Sequence, residues 1–279
     1  MTFVFRSVAT RLMVGAAALA VLPAAQAADL PKWELGIGAL GMSLPDYRGS
    51  AEQRNYLLPL PYFVYRGPIL KADRDGARAQ LYDGDRVTIE LSLAAGVPVR
   101  SSDNPAREGM PDLAPTIEFG PQAIVRLYGD HKGPVSLDLR LPVRQALAVD
   151  DWTMRNAGIV FTPNLDLNLR RGGWNLGLSG GPYFGNKRQN RYAYEVQPQY
   201  ARADRPAYDP DAGYGGMQVS LSLTRRFDRF WFGSFVRLST VSGAAFEDSP
   251  LVKRRNNYSA GVGIAWFFAQ SSERVSPDN

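Results

Sequence analysis

Two stretches of this chain match cofactor-binding or catalytic spacings, and one residue could serve as a base. Gly36-Ile37-Gly38-Ala39-Leu40-Gly41 fits G-x-G-x-x-G, the glycine pattern that brings a backbone close to a dinucleotide pyrophosphate. That chemistry needs a strand before the glycines and a helix after them. Here the residues on both sides read as strand and Pro45 follows at once, so the glycines are small residues inside a strand. Gly177-Leu178-Ser179-Gly180-Gly181 fits the G-x-S-x-G nucleophile elbow. An elbow requires a strand-to-helix turn and a later histidine, whereas Ser179 falls in mid-strand and no histidine follows it. The sole histidine, His131, stands in the turn Gly129-Asp130-His131-Lys132-Gly133 and reads as a solvated turn residue. With no cysteine and one histidine, a thiolate site and a multi-histidine metal site are excluded. The expectation is a protein without catalytic, cofactor or metal residues.

The remaining chemistry lies in charges set among apolar residues: Glu34, Glu90, Glu118, Arg126, Asp138, Arg140, Arg144, Asp166 and Arg237. The elements that must hold them show a period of two. Val135, Leu137, Leu139, Leu141 and Val143 share one face, with Ser136, Asp138, Arg140, Pro142 and Arg144 on the other. Val87 to Val97, Ile159 to Leu169, Met217 to Leu223 and Tyr258 to Phe268 alternate in the same way. A soluble sandwich and an outer-membrane barrel both give this pattern. Mid-strand charges on the polar face favour the barrel, where that face lines the lumen. So do the segment lengths of about 10 to 14 residues, against ~5–6 in sandwiches, and the terminal aromatics Trp33, Trp174, Phe184, Phe230 and Phe268. The fold class expected is all-β, an antiparallel transmembrane outer-membrane β-barrel. The lumen charges read either as a salt-bridged filling or as an ion-selecting constriction.

Residues 1–27 read as an export signal. Arg6 and Arg11 precede the apolar run Leu12 to Leu22, and Ala25-Gln26-Ala27 is an A-x-A site that places cleavage between Ala27 and Ala28. That run spans about 16 Å as a helix, too short to cross a bilayer. The barrel is expected over 28–268, with a tail over 269–279. Strands are predicted near 33–41, 55–66, 69–73, 77–83, 86–98, 113–128, 133–147, 153–169, 173–184, 214–226, 229–241 and 256–268. That is twelve, or eleven if 69–83 forms one strand. Short turns then face the periplasm, and long loops at 42–54, 99–112, 185–213 and 242–255 face outward. The 185–213 loop sets Lys187, Arg188, Arg191, Arg202 and Arg205 against Glu195, Asp204, Asp209 and Asp211. An ordinary solvated loop is the favoured reading, and pairing with lipopolysaccharide phosphates is the other. Lys plus Arg is 32 against Asp plus Glu of 27, too even for a nucleic-acid partner.

Several segments taken in order resemble the MipA/OmpV outer-membrane family, the MltA-interacting proteins. They are Pro45-Asp46-Tyr47-Arg48-Gly49-Ser50, Leu58-Pro59-Leu60-Pro61-Tyr62, Tyr65-Arg66-Gly67 and Asp73-Arg74-Asp75-Gly76. Further on come Met110-Pro111-Asp112, Glu118-Phe119-Gly120-Pro121, Gly181-Pro182, Ser249-Pro250-Leu251-Val252 and Gly261-Val262-Gly263 with Trp266. The resemblance covers nearly all of 28–268; the tail after Phe268 departs from it. It implies a non-enzymatic outer-membrane barrel embedded in lipid and lipopolysaccharide. The role implied by its best-known member is a scaffold joining a lytic transglycosylase to a bifunctional penicillin-binding protein in murein growth. Other relatives imply a narrow solute channel or a surface adhesin.

Overall fold

An odd–even division of side chains runs through every long segment and decides which face of each strand meets what. The computed structural model describes residues 30–66, 70–73, 76–130, 133–150 and 153–275. The predicted signal with its Ala27–Ala28 junction, His131 and the end of the tail lie outside the described residues. The strands are β1 (Leu30–Pro31), β2 (Trp33–Pro45), β3 (Gln53–Arg66), β4 (Leu70–Asp73), β5 (Gly76–Asp83), β6 (Val87–Gly96), β7 (Thr116–Gly129) and β8 (Val135–Asp150). They continue as β9 (Thr153–Phe161), β10 (Asn164–Arg171), β11 (Trp174–Gly185), β12 (Gly213–Arg226), β13 (Phe230–Thr240), β14 (Asn256–Gln270) and β15 (Arg274–Val275), with one helix, α1 (Lys187–Tyr194).

Each strand from β2 to β14 pairs antiparallel with its neighbours, and β14 pairs back onto β2 through Val262 and Gly41, so the sheet closes into a barrel. Closure leaves no open sheet edge around most of the wall, the condition for a sheet in lipid. Thirteen strands make twelve staves. The single strand expected over 153–169 is interrupted at Thr162-Pro163. β9 pairs with Val143–Asp150 of β8 and β10 with Val135–Arg140, so the two are collinear halves of one stave. Pro163 has no N–H to give the ladder, and Thr162 N still donates to Pro142 O at 3.3 Å. The 69–83 region resolves into two strands, with Leu70 opposite Ala79.

The outward face is apolar and exposed. Ile37, Leu178, Val219, Leu221, Val236, Leu238, Val262 and Ile264 all point away from the lumen. Phe230 and Phe268 stand exposed at one end of this band. The G-x-G-x-x-G stretch lies within β2. A Cβ at Gly36 or Gly38 would strike the β14 backbone at Trp266 or Ile264, so these glycines let two staves close up. Ser179 sits in the ladder of β11 opposite Ser220, far from any helix start.

One stretch of wall is thin. β4 has four residues, and among the described residues its ladder with β3 is two pairs long, Tyr65 with Ala72 and Arg66 with Lys71. The ladder from β2 to β3 is continuous from Trp33–Tyr65 to Pro45–Gln53. Pro59 and Pro61 share one parity, so their missing N–H groups face the other edge, where no ladder partner is described. Edge positions of this kind are where a sheet tolerates proline.

Candidate functional site

The lumen has two chemically different sides. On β6 to β10 the predicted charges meet one another. Glu118 pairs with Arg144 at 3.2 Å, and Arg144 Nε donates to Ser92 Oγ at 3.0 Å. Gln122 donates to the buried Glu90 at 3.0 Å. Arg140 pairs with Asp166 at 3.1 Å, and Asn168 donates to the same carboxylate at 2.7 Å. Asp138 is fully buried, in register with Arg126 on one side and Asp166 on the other. Arg126 Nη1 also donates to Asp85 O at 3.3 Å. Strand parity alone places this set, because alternate residues of adjacent staves must share the inner face.

The opposite side, from β12 round to β3, is aromatic and small. Tyr62 packs on Phe267 at 4.9 Å and on Trp231 at 5.8 Å between ring centroids. Gly233, Gly261 and Gly263 make room for Trp231 and Phe235. Here Glu34, fully buried, forms an ion pair with Arg226, whose guanidinium also lies 5.3 Å over Phe267. Glu34, Val64, Ala265 and Phe267 are each at most 4% exposed, so side chains fill the lumen near the short turns.

At the other end the long loops form a cap with its own core. Tyr47, Val99, Leu113, Tyr194, Val196, Val241, Phe246 and Leu251 cluster there, all buried and drawn from four separate segments. Tyr194 stacks on Phe246 with centroids 3.7 Å apart and rings 8° from parallel. Tyr47 Oη donates to Leu251 O at 2.9 Å, and Ser249 Oγ to Tyr194 O at 2.8 Å. Burial pushes the Tyr47 phenol up to about 12, and it raises Tyr194 as well. Two arginines act as staples. Arg107, buried, donates to the carbonyls of Ala193 and Pro111 at 3.0 and 3.1 Å. Arg205 donates to those of Ala106 and Glu108, both at 3.0 Å. Asn186 caps α1 by accepting from Gln189 N at 2.9 Å.

This alters the reading of the 185–213 loop as solvated. Arg191 grips Asp209 in a fork at 2.6 and 2.7 Å, and Lys187 reaches Asp209 and Asp211. Arg191 and then Lys187 hold the Asp209 carboxyl well below the usual carboxylate range. Arg202 pairs with Glu108 at 3.1 Å. Of the five basic residues in that loop, Arg188 is exposed and makes no polar contact among the described residues. The cap core went unread because its members follow no period and come from loops up to about two hundred residues apart in sequence. Isolated apolar residues beside proline and glycine, as in Pro45-Asp46-Tyr47 and Ser249-Pro250-Leu251, were the available signal.

Arg237, the last predicted lumen charge, is set apart from the ladder of ion pairs. Its Nε donates to Ser220 Oγ at 2.9 Å, and among the described residues no carboxylate reaches it. Sequence reasoning missed its companion. Arg48 leaves the first long loop and enters the lumen, donating to Gln218 Oε1 at 3.3 Å and Met217 O at 3.2 Å, with its guanidinium 4.9 Å over Tyr183.

The short-turn rim is organised by the two ends of the described chain. β1 pairs with β15, Lys32 Nζ meets Glu273 at 3.0 Å, and Ser271 N donates to Trp33 O at 2.9 Å. Arg171, Asp228, Arg229 and Arg274 are exposed beside it, while Arg170 turns inward to Gly133 O at 3.3 Å.

Among solved structures, the chain is similar to an outer membrane channel from Pseudomonas putida F1. The TM-score is 0.46 and the identity 11%, over 89% of this chain and 100% of that one. It is also similar to a bacterial polysaccharide outer membrane secretin, at TM-score 0.42 and 7% identity over 86% and 100%. Outer membrane phospholipase A from Escherichia coli gives 0.33 and 12% over 85% and 94%. A comparison with curated proteins finds no match. The family model described as MltA-interacting protein MipA matches residues 37–268, from Ile37 within β2 to Phe268 within β14. That stretch holds the cap and all of the staves but the rim ends of β2 and β14, and the chain belongs to the MltA-interacting protein MipA family.

Proposed function

We propose that this protein is a non-enzymatic scaffold of the outer membrane that holds murein-remodelling enzymes at its short-turn rim. The partner class is a lytic transglycosylase, after the interaction that the family description names, together with a bifunctional penicillin-binding protein. One observation carries the reading. The lumen is filled with side chains at the rim end, and the rim carries an ordered two-stranded β1–β15 pairing flanked by exposed charges. A filled lumen suits a docking platform better than a solute path, and paired termini present a fixed surface at low entropic cost.

The test is crosslinking and capture from envelopes, run beside planar-bilayer conductance. Removing 271–279 and changing Arg171→Gln and Arg229→Gln should reduce capture of the transglycosylase and leave conductance where it was. Undiminished capture by that variant, combined with loss of capture when the cap loops are shortened in a correctly folded barrel, would refute the scaffold reading.

A further inference from the structure

Two arginines stand apart from the ion pairs of the lumen. Near the rim, and along β6 to β10, three arginines face a carboxylate: Arg226 with Glu34, Arg140 with Asp166, Arg144 with Glu118. Beneath the cap, Arg48 and Arg237 have only neutral partners among the described residues. Those partners are Gln218, the Met217 carbonyl and the Tyr183 ring for Arg48, and the Ser220 hydroxyl and the Phe235 ring for Arg237. The nearby carboxylates are already used. Glu118 is held by Arg144, and Asp46 by Arg54 and Asn104. The charge that acts on Arg237 is that of Arg48, of like sign. Arg48 Nε is buried with no acceptor. Arg237 is exposed, and since its strand neighbours Val236 and Leu238 point to lipid, its own side chain faces the lumen.

The two guanidinium groups are anchored side by side. Gln218 and Ser220 are two residues apart on the inner face of β12, a separation of about 7 Å. One tetrahedral oxyanion spans that distance when each arginine donates charge-assisted bonds of about 2.8 Å. An uncompensated pair of like charges inside a barrel wall is costly, and ionisable groups at membrane depth mark binding sites more often than packing.

We propose that Arg48 and Arg237 form an oxyanion-binding site in the upper lumen, with Gln218 and Ser220 as neutral supports and phosphate-type anions as its ligands. The Arg fork matches a phosphate bidentately. Tyr183 and Phe235 lie under the two guanidiniums, at 4.9 and 5.9 Å, and leave their N–H edges available to an anion. The phosphate could be carried by a free anion or by a lipid headgroup, and the same two arginines would hold either.

The experiment uses the folded full barrel in detergent, with inorganic phosphate and dihexanoyl phosphatidic acid as probes, read by calorimetry and by the shift of the thermal transition. Saturable phosphate binding is expected. R48Q and R237Q should each weaken it about tenfold or more, while R188Q, an exposed cap arginine, should leave it unchanged. R237K should fall between, since lysine keeps the charge and loses the fork, and it stands in if R237Q does not fold. Tighter binding of the short lipid than of phosphate identifies a headgroup source. Equal binding identifies a free anion. Absence of saturable binding of both probes, or affinities that R48Q and R237Q leave unchanged, would overturn the proposal.

Discussion

Phe246→Ala should open the cap without opening the barrel. Phe246 is fully buried, stacks on Tyr194 and joins the 241–255 loop to the segment that carries α1. Truncating such a phenylalanine costs about 3–5 kcal/mol, of which roughly 0.5–1.5 is the ring pair itself. None of that loss touches the ladders of the wall, which are backbone bonds between staves. At about 1.4 kcal/mol per tenfold, the open cap should gain two to nearly four orders of magnitude in population. Limited trypsin digestion reads this directly, since cleavage follows the open population when opening is fast. Cuts within 187–205 should accelerate accordingly, while the heat-dependent gel mobility of the barrel stays at its original transition. If the cutting rate is unchanged, the cap core is not what holds the loops. If barrel and cap fail together at a lower temperature, the cap is not a separate unit. Either result refutes the reasoning.

Leu139→Arg, on the outward face of β8, should lower folding into lipid vesicles by about 2–4 kcal/mol if it meets the bilayer midplane, measured by urea titration. Arg144→Gln leaves Glu118 in the lumen without its guanidinium and should cost about 1–3 kcal/mol by the same titration, with part recovered in R144Q/E118Q. The Tyr47 phenol is raised to about 12 by burial. A raised acid contributes stability that is complete below its unfolded value near 10 and is lost as pH climbs through the folded value. Tyr47 should therefore contribute up to about 1.4 kcal/mol per unit to a weakening of the cap between pH ~10 and 12, and Tyr47→Phe should reduce the slope by that share in near-ultraviolet circular dichroism, with Tyr194 supplying what remains.

Strand content, inner and outer faces and stave number were legible because they rest on a period of two, which local sequence carries. Val135 to Val143 shows how far this reaches: the alternation names the lipid face, and the charges between become the lumen set that meets β7 and β10. Two things were not legible. The break at Thr162-Pro163 hides inside an unbroken alternation from Ile159 to Leu169, and only the proline marks it. The cap depends on meetings such as Tyr47 with Leu251 and Arg107 with Ala193, which no window of sequence contains. Charge in the long loops suggested solvation, yet most of it is neutralised within the cap. Arg48 escaped notice for the same reason, since it belongs to a loop by sequence and to the lumen by structure.

That last displacement has a structural cause. In the turn after β2, every residue around Arg48 is tied to a different part of the cap. Asp46 takes Arg54 at 2.5 Å and Asn104 at 2.8 Å, and Tyr47 reaches Leu251. Gly49, at φ 87, turns its N–H to Asn257 at 2.7 Å, and Asn257 donates to Ser50 O at 2.8 Å. A side chain at position 49 would be strained in that backbone conformation and would press on Val252. Even the Arg48 carbonyl is taken, by the Tyr194 hydroxyl at 2.9 Å. With its neighbours fixed to loops above and beside it, the Arg48 side chain has the lumen left to enter. The hexapeptide Pro45 to Ser50, one of the segments in which the family resemblance lies, thus has two effects from one geometry: it locks the cap's segments together and aims a guanidinium at Arg237.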